Sequence, residues 1–334
     1  MRRRHAVVTM LATAAALLGL TAGVAAAPVV HADDAHGADR ADRAAAEGDL
    51  PVSYNFLLSA VTAGGQVGAD PPGSNDWSCR PSAAHPRPVV LVHGTAGNKN
   101  TNWQTYSPLL ANHGYCVFAL TYGVAPDALP LQDQLGGLIR MEDSARQLKR
   151  FVARVLRATG AAKVDIVGHS QGTLMPNYYV KFLGGAKHVK RYVSLSPLWH
   201  GTRIANFYRL LAKAFGVPEA QIPFCQACGQ FAETSDFLRR LRRGGLVVGD
   251  IEYTNIMTKY DQLVLPYTNG RVPGMRNVVV QDHCRTDYSE HFEIAADPVA
   301  ARIVLNTLDP AHKKPVPCMV VLPFVGPVGP VPDL

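Results

Sequence analysis

The chain has 334 residues, of which 47% are apolar and 18% charged, and its mean hydropathy is close to zero. This composition excludes a disordered protein, a protein with many membrane spans and a small disulfide scaffold. The net charge is +7, and removal of Arg2, Arg3 and Arg4 with a leader leaves 30 basic residues against 26 acidic ones. Since no run of five Lys or Arg residues occurs, we expect no nucleic-acid partner.

The N-terminus is typical of an export signal, because a basic start is followed by a long uncharged stretch rich in Ala, Leu, Val and Gly. Small residues allow cleavage after Ala27 or Ala32, and Pro28 disfavours the first site. We therefore expect a signal peptide over residues 1–32 and a secreted, extracellular protein. A membrane anchor and the twin-arginine route are the alternatives. Residues 33–50 lack apolar periodicity and are predicted to form a flexible N-terminus.

Residues 51–87 form a lead-in rich in Gly, Pro, Ser and Asn, with few apolar anchors. From residue 88 onwards, apolar runs typical of buried strands alternate with segments of helical periodicity. This alternation predicts an α/β fold with a mostly parallel central sheet flanked by helices. We expect strands over residues 88–93, 115–122, 163–167, 189–195, 251–257 and 276–281, and helices over 101–113, 141–158, 204–215, 231–242 and 298–308 and directly after Gly172.

About fifty residues separate the strand that ends at Leu195 from the strand that begins at Ile251, which is more than one crossover helix needs. Insertions at the carboxyl edge of such sheets usually cover the ligand crevice. We therefore expect residues 201–249 to form a small helical cap or lid. Residues 315–334 are rich in Pro and Val and are predicted to run as an extended tail over the surface.

Six cysteines in an exported chain predict three disulfides. Cys79 precedes the first strand and Cys116 begins the second, so both lie at the amino edge of a parallel sheet and can meet. Cys225 and Cys228 could instead form a redox pair or half of a zinc site, but no second CxxC and no HxxxH partner occurs, so we expect them to pair locally. The remaining two cysteines pair by elimination. The expected pairs are Cys79–Cys116, Cys225–Cys228 and Cys284–Cys318.

The sequence Gly168-His-Ser-Gln-Gly172 matches the pattern G-x-S-x-G. The bare pattern is weak, but here it directly follows an apolar strand and directly precedes a helix, which is the setting of a nucleophile elbow. Glycines on both sides allow a turn tight enough to lift the Ser170 hydroxyl clear of the backbone. The alternative is an ordinary turn in which the serine caps the helix.

A nucleophilic serine needs a base to take its proton and an acid to orient that base. Asp261 lies just past the carboxyl end of a strand, whereas Asp250 precedes that strand and lies at the wrong edge. His291 leads into the closing helix and is our choice of base. His283 is the alternative base, and Asp287 is the alternative acid.

The tetrahedral intermediate of acyl transfer also needs two backbone donors. We assign these to the N–H groups of Gln171, directly after the serine, and Thr95, in the loop after the first strand. His93 lies too early in the chain for the expected triad order and is predicted to order this loop. Apolar residues near these positions are candidates for an acyl pocket, although their residue types favour an ordinary place in the core. They are Leu174, Met175, Trp199, Leu263, Val264 and Phe292.

Three stretches carry a specific resemblance: residues 89–98 (Val-Val-Leu-Val-His-Gly-Thr-Ala-Gly-Asn), 167–172 (Val-Gly-His-Ser-Gln-Gly) and 258–268 (Thr-Lys-Tyr-Asp-Gln-Leu-Val-Leu-Pro-Tyr-Thr). Together with residues 282–291, they resemble secreted actinobacterial triacylglycerol lipases of the class 2 lipase family, which are α/β-hydrolases. The resemblance covers roughly residues 88–308. It implies one α/β-hydrolase domain over residues 51–334.

The resemblance also implies a serine esterase that acts on acylglycerols and soluble esters, with Ser170, Asp261 and His291 as its triad. Two-step acyl transfer of this kind requires no cofactor and no metal. We expect a monomer that contacts a lipid interface transiently. The alternatives are another acyl hydrolase or transferase of the same fold, such as a cutinase-like enzyme or a thioesterase, and a non-catalytic exported binding protein.

Overall fold

The structure is a computed structural model that describes residues 48–126, 128, 132–206 and 225–334. The expected signal peptide over residues 1–32 and most of the expected flexible N-terminus lie outside the described residues, as does most of the helix expected over residues 204–215. Within the described part of the chain, no helix has both the length and the apolar character needed to cross a membrane.

A six-stranded sheet in which every neighbouring pair is parallel forms the centre of the molecule, in the order β2-β1-β3-β4-β5-β6. Its central strands are almost wholly buried, as the continuous apolar runs predict. The α/β architecture expected from the sequence is therefore confirmed. The strands are β1 (Val89–Val92), β2 (Val117–Leu120), β3 (Val164–His169), β4 (Val189–Leu195), β5 (Glu252–Met257) and β6 (Arg276–Val279).

Helices cover both faces of this sheet. In β1, Val90 and Val92 point to one apolar cluster, while Val89 and Leu91 point to the other. Each cluster is completed by the apolar side of helices packed against it. The described helices are α1 (Phe56–Gly64), α2 (Lys99–Asn102), α3 (Tyr106–Asn112), α4 (Met141–Thr159), α5 (Gln171–Phe182), α6 (Gln226–Gln230), α7 (Asp236–Arg242), α8 (Val280–His283) and α9 (Pro298–Leu308).

The helix expected over residues 101–113 is two helices, α2 and α3, which are separated at Trp103. Pro108 supplies the physical reason, because it has no N–H to donate to the preceding turn of a continuous helix and is tolerated only near a helix start. The strand expected to reach residue 281 ends at Val279, where the chain turns into α8. These boundary predictions were wrong.

The lead-in over residues 51–87 contains α1, which the sequence analysis did not predict. The helix carries no amphipathic stripe: it buries the small residues Ser59 and Ala63 and leaves larger apolar ones outside. The usual periodicity signal is therefore absent. The helix expected over residues 231–242 begins only at Asp236, where the Ser235 side chain accepts a hydrogen bond from the N–H of Leu238 and caps it.

Residues 201–206 and 225–249 of the expected cap are described, and α7 packs against α5 through the rings of Phe237 and Tyr178, whose centroids are 5.7 Å apart. Residues 207–224 are not described, so the cap itself stays a prediction. The tail over residues 315–334 contains no helix, and it forms a small antiparallel hairpin of β7 (Val321–Leu322) and β8 (Gly326–Pro327).

The three disulfides that the sequence predicts are present in the structure. Cys284–Cys318 joins the tail to the segment that follows α8. Next to it, the Tyr288 N–H donates to the carbonyl oxygen of Val321 at 2.9 Å. The tail is thus tied to the loop that leads to His291 both covalently and by backbone pairing. The other two pairs are Cys79–Cys116 and Cys225–Cys228.

Candidate active site

Ser170 occupies a sharp turn between β3 and α5. Its backbone has φ +53° and ψ −121°, a conformation that side-chain-bearing residues rarely adopt. A Cβ atom on Gly168 would lie 2.0 Å from the carbonyl oxygen of Gly172, and one on Gly172 would lie 1.9 Å from that of Val92. Only glycine fits at either position, so direct backbone contact accounts for the two glycines of the motif.

The structure brings Ser170, His291 and Asp261 into one hydrogen-bonded line. The Ser170 Oγ lies 2.9 Å from His291 Nε2, and His291 Nδ1 lies 2.9 Å and 3.0 Å from the two carboxylate oxygens of Asp261. His291 and Asp261 are buried, whereas Ser170 is partly accessible. Asp261 orients the His291 ring, and the ring is then placed to accept the proton of the Ser170 hydroxyl.

The carboxylate of Asp261 is held in its ionised form. Burial by itself raises its pKa, but the His291 ring and backbone donors outweigh burial and hold the pKa below its usual value. The backbone donors are the N–H groups of Leu263, at 3.0 Å, and Val264, at 2.7 Å. An ionised Asp261 fixes the Nδ1–H tautomer of His291 and leaves Nε2 free to face the serine.

The alternative residues lie elsewhere. His283 is exposed on α8, and Asp250 is exposed at the start of β5, where it pairs with Lys163 at 3.4 Å. Asp287 is buried next to Asp297, and burial raises the pKa of both carboxyl groups. None of these residues has a hydrogen bond to Ser170 or His291 within the described part of the chain.

His169 is a site residue that the sequence analysis missed. Its Nε2 lies 2.8 Å from the carbonyl oxygen of His291, and its Nδ1 lies 3.1 Å from Asn102 Oδ1. The same Asn102 oxygen accepts the N–H of Gly94 at 3.0 Å. Burial, reinforced by the neighbouring His291, lowers the pKa of His169 to about 3, so the ring is neutral near pH 7. His169 thus connects the backbone of His291 to the loop after β1, and only its place inside the motif could have indicated it.

Thr95 and Gln171, the residue after Ser170, are in contact through their side chains. The Thr95 hydroxyl donates to Gln171 Oε1 at 2.7 Å, which fixes the two segments relative to each other. Gly137 packs against this pair, because a Cβ there would lie 2.8 Å from Gln171 Oε1. Considering only the described residues, neither backbone N–H donates to a protein acceptor. Both are available for an oxygen of the substrate.

His93 lies beneath this loop and is fully buried. Its Nε2 accepts the N–H of Tyr122 at 3.2 Å, and its Nδ1 lies 2.7 Å from the carbonyl oxygen of Gly94. Burial lowers the pKa of His93 to about 4. A neutral ring with Nδ1–H satisfies both contacts, which fits the expected role in ordering the loop.

The six acyl-pocket candidates divide into two groups. Leu263 and Phe292 are each 37% exposed and can face a substrate. The other four are buried in the core, which was the alternative role expected for them: Leu174, Met175, Trp199 and Val264.

Glu293 lies two residues after His291 and joins it to α1. Its Oε2 accepts the N–H of Phe56 at 3.1 Å, while Oε1 has no hydrogen-bond partner among the described residues. Burial, opposed only by the Phe56 N–H, raises its pKa to about 8.

In residues 48–126, 128, 132–206 and 225–334, no group of three or more His, Cys, Asp or Glu side chains is arranged to hold a metal ion.

Comparisons with known proteins identify a family for most of the chain. The family model "Lipase (class 2)" matches residues 86–304. A triacylglycerol lipase of Pseudarthrobacter phenanthrenivorans is 37% identical over 102 residues, which are 29% of this chain and 28% of that protein. A triacylglycerol lipase of Burkholderia plantarii is also 37% identical over 102 residues, or 25% of its length. The chain therefore matches only about a quarter of the length of these curated relatives.

Solved structures show the same fold. Aspergillus fumigatus lipase B superposes with a TM-score of 0.55 at 20% identity, over 74% of this chain and 57% of that one. The mature form of Bacillus licheniformis lipase BlEst2 gives a TM-score of 0.52 at 16% identity, over 69% of this chain and 94% of that one. The fold is that of the α/β-hydrolases.

Proposed function

Because the chain belongs to the class 2 lipase family, we propose that it is a serine hydrolase that cleaves the carboxylic ester bonds of acylglycerols and related esters through an acyl-enzyme. The observation that carries this proposal is the line of hydrogen bonds from Ser170 through His291 to Asp261, with 2.9 Å at each step. A nucleophile, a base and an orienting acid in this order are what acyl transfer requires.

In the first step, the Ser170 Oγ attacks the ester carbonyl carbon while His291 Nε2 accepts the hydroxyl proton. The ionised Asp261 stabilises the imidazolium that forms. The N–H groups of Thr95 and Gln171 donate to the carbonyl oxygen as it becomes an oxyanion. His291 then returns its proton to the departing alcohol oxygen, which leaves an ester on Ser170. Water then attacks the acyl carbon while it loses a proton to His291, and His291 returns that proton to the Ser170 Oγ as the carboxylic acid is released.

The test is hydrolysis of soluble p-nitrophenyl esters together with labelling by a fluorophosphonate. We expect Ser170→Ala to abolish both turnover and labelling, and His291→Ala and Asp261→Asn to lower kcat by roughly a thousandfold or more. Matched controls are His283→Ala and Asp282→Asn, since both residues are exposed and lie outside the hydrogen-bonded line. If Ser170 resists labelling in the folded protein, the chain is a binding protein on a hydrolase scaffold.

We also propose that the protein is exported and acts as a monomer outside the cell. The three disulfides support export, because such bonds persist in oxidising compartments. N-terminal sequencing of protein from the culture medium should find a start directly after Ala32. An intact leader on membrane-bound protein would instead establish the anchor. Elution of the purified protein as a dimer in size-exclusion chromatography would refute the monomer.

A further inference from the structure

Helix α1 exposes its large apolar residues and buries its small ones. Leu57, Leu58 and Val61 are 52%, 64% and 60% exposed, whereas Ser59 and Ala63 are buried. A helix at the surface of a soluble protein normally has the reverse arrangement, with its large apolar side chains packed against the core. Contiguous exposed apolar side chains mark a contact surface rather than ordinary packing.

The tip of the β7–β8 hairpin continues this pattern. Phe324 is 46% exposed and Val325 is 57% exposed. Phe324 also has φ +60°, which disfavours any residue with a side chain and disfavours a bulky one most. Solvent exposure and this backbone conformation are both unfavourable for phenylalanine.

The two elements are neighbours although they lie far apart in the sequence. The Asn55 side-chain amide donates to the carbonyl oxygen of Val325, and the Phe56 and Phe324 rings each contact the ring of Phe292, at 5.9 Å and 6.5 Å between centroids. We name Leu57, Leu58, Val61, Phe292, Phe324 and Val325 together the apolar face.

The apolar face borders the candidate active site. Phe292 directly follows His291, and the two rings are 5.5 Å apart. Phe56 at the start of α1 lies 5.9 Å from the ring of His169, the residue before Ser170. Whatever covers the apolar face is therefore placed beside the nucleophile and its base.

Both stretches that form most of the apolar face are free of charge. Residues 50–69 and residues 319–332 contain no Asp, Glu, Lys or Arg, in a chain that is 18% charged overall. An ionic partner would find no complementary group there. An uncharged apolar phase needs none, because burial of apolar area alone drives its contact with protein.

We propose that the apolar face seats the protein on the surface of a neutral lipid ester droplet and so presents Ser170 to that surface. This inference rests on the proposed ester hydrolase function for its choice of occupant. A second copy of the chain fits less well, because it would stand over the elements around Ser170. The contact is made by α1 and the hairpin, outside the residues 201–249 that the sequence predicts to form a cap.

The test measures binding and chemistry separately. Binding is followed by flotation with triolein droplets coated with phosphatidylcholine, in a Ser170→Ala background that leaves the droplets intact. We expect L57S/L58S/V61S to reduce the bound fraction at least tenfold. The same triple variant with Ser170 intact should keep kcat/KM for soluble p-nitrophenyl acetate within about twofold of the parent. The matched control is Val247→Ser, which alters an exposed valine outside the apolar face.

Phe324→Gly is a second variant that protects the test against misfolding, since glycine suits the positive φ at this position. It should weaken droplet binding without loss of thermal stability. Unchanged flotation of both variants overturns the proposal. It is also overturned if the parent is a dimer that the triple variant dissociates, or if droplets bind only after removal of residues 1–48. Normal flotation of a protein that hydrolyses no ester refutes the proposed function and leaves the apolar face supported.

Discussion

Replacement of Glu293 by Gln should change how stability depends on pH, because a buried carboxyl group titrates far from its usual range. The native protein holds the Glu293 proton up to pH about 8, whereas the unfolded chain releases it near 4.5. Between these values the native state binds more protons, so the free energy of unfolding falls as the pH rises. The stability that the protonated Glu293 contributes is fully present below pH 4.5 and is lost as the pH rises through about 8.

The magnitude follows from the width of that interval. At about 1.4 kcal/mol for each pH unit, the full loss is about 5 kcal/mol. Local relaxation and water entry reduce this penalty, so we expect at least about 2 kcal/mol. Gln keeps an oxygen to accept the Phe56 N–H, has a similar shape and cannot ionise. Glu293→Gln should therefore match the parent at pH 4 and exceed it by about 2 to 5 kcal/mol at pH 9.

The assay is urea unfolding followed by circular dichroism at pH 4, 6, 8 and 9 for both proteins. Comparing the two proteins cancels the titration of shared groups that do not interact with Glu293. Glu252→Gln is a control, because Glu252 pairs with Lys190 and Arg191 and its pKa is lowered. Glu252→Gln should not raise the free energy of unfolding at pH 9. Equal losses of stability from pH 4 to pH 9 in the parent and in Glu293→Gln would refute the reasoning.

Three further predictions concern the site and its support. His169→Ala should lower kcat for soluble esters at least tenfold with little change in KM, because it frees the backbone of His291; an unchanged kcat would show that this contact does not position the base. Gly172→Ala should prevent accumulation of folded protein, since its Cβ would lie 1.9 Å from a backbone oxygen, and a normal melting temperature would contradict that packing. Replacing Cys284 and Cys318 together by Ser should lower the free energy of unfolding by about 4 kcal/mol, since the disulfide closes a loop with a separation of 34 residues. In the parent protein, mild reduction should lower turnover before the protein unfolds globally. Turnover that is lost only when the protein unfolds would contradict this.

The sequence was most informative where backbone sterics leave one choice. The two glycines around Ser170 are required because any side chain there would meet a neighbouring carbonyl oxygen. The motif and its turn could therefore be predicted from the amino-acid sequence alone. The same holds for the buried strands, because short continuous apolar runs between turns are typical of strands covered on both faces. Chain order relative to strand ends was enough to choose Asp261 over Asp250.

Other features depend on contacts between distant segments and could not be predicted. The bond from His169 to the His291 carbonyl joins residues 122 positions apart and follows no local pattern. Helix α1 was missed because it carries apolar residues on its exposed face as well as on its buried face, so the two faces differ little in hydrophobicity. The buried candidates Leu174, Met175 and Trp199 show a related limit, since proximity to a catalytic residue in sequence does not distinguish a pocket wall from the core.

The support of His291, the proposed base, is divided between two distant parts of the polypeptide. The turn that holds Ser170 contacts Val92 and Leu195 of the central sheet, but the loop that carries His291 depends on Phe56 and also on Cys318 and the hairpin that follows it. A chain that stops before Cys318 therefore contains every triad side chain without the tether of its base. We therefore expect a chain that ends before Cys318 to keep the Ser170 turn and to lose the covalent support of the loop that carries His291.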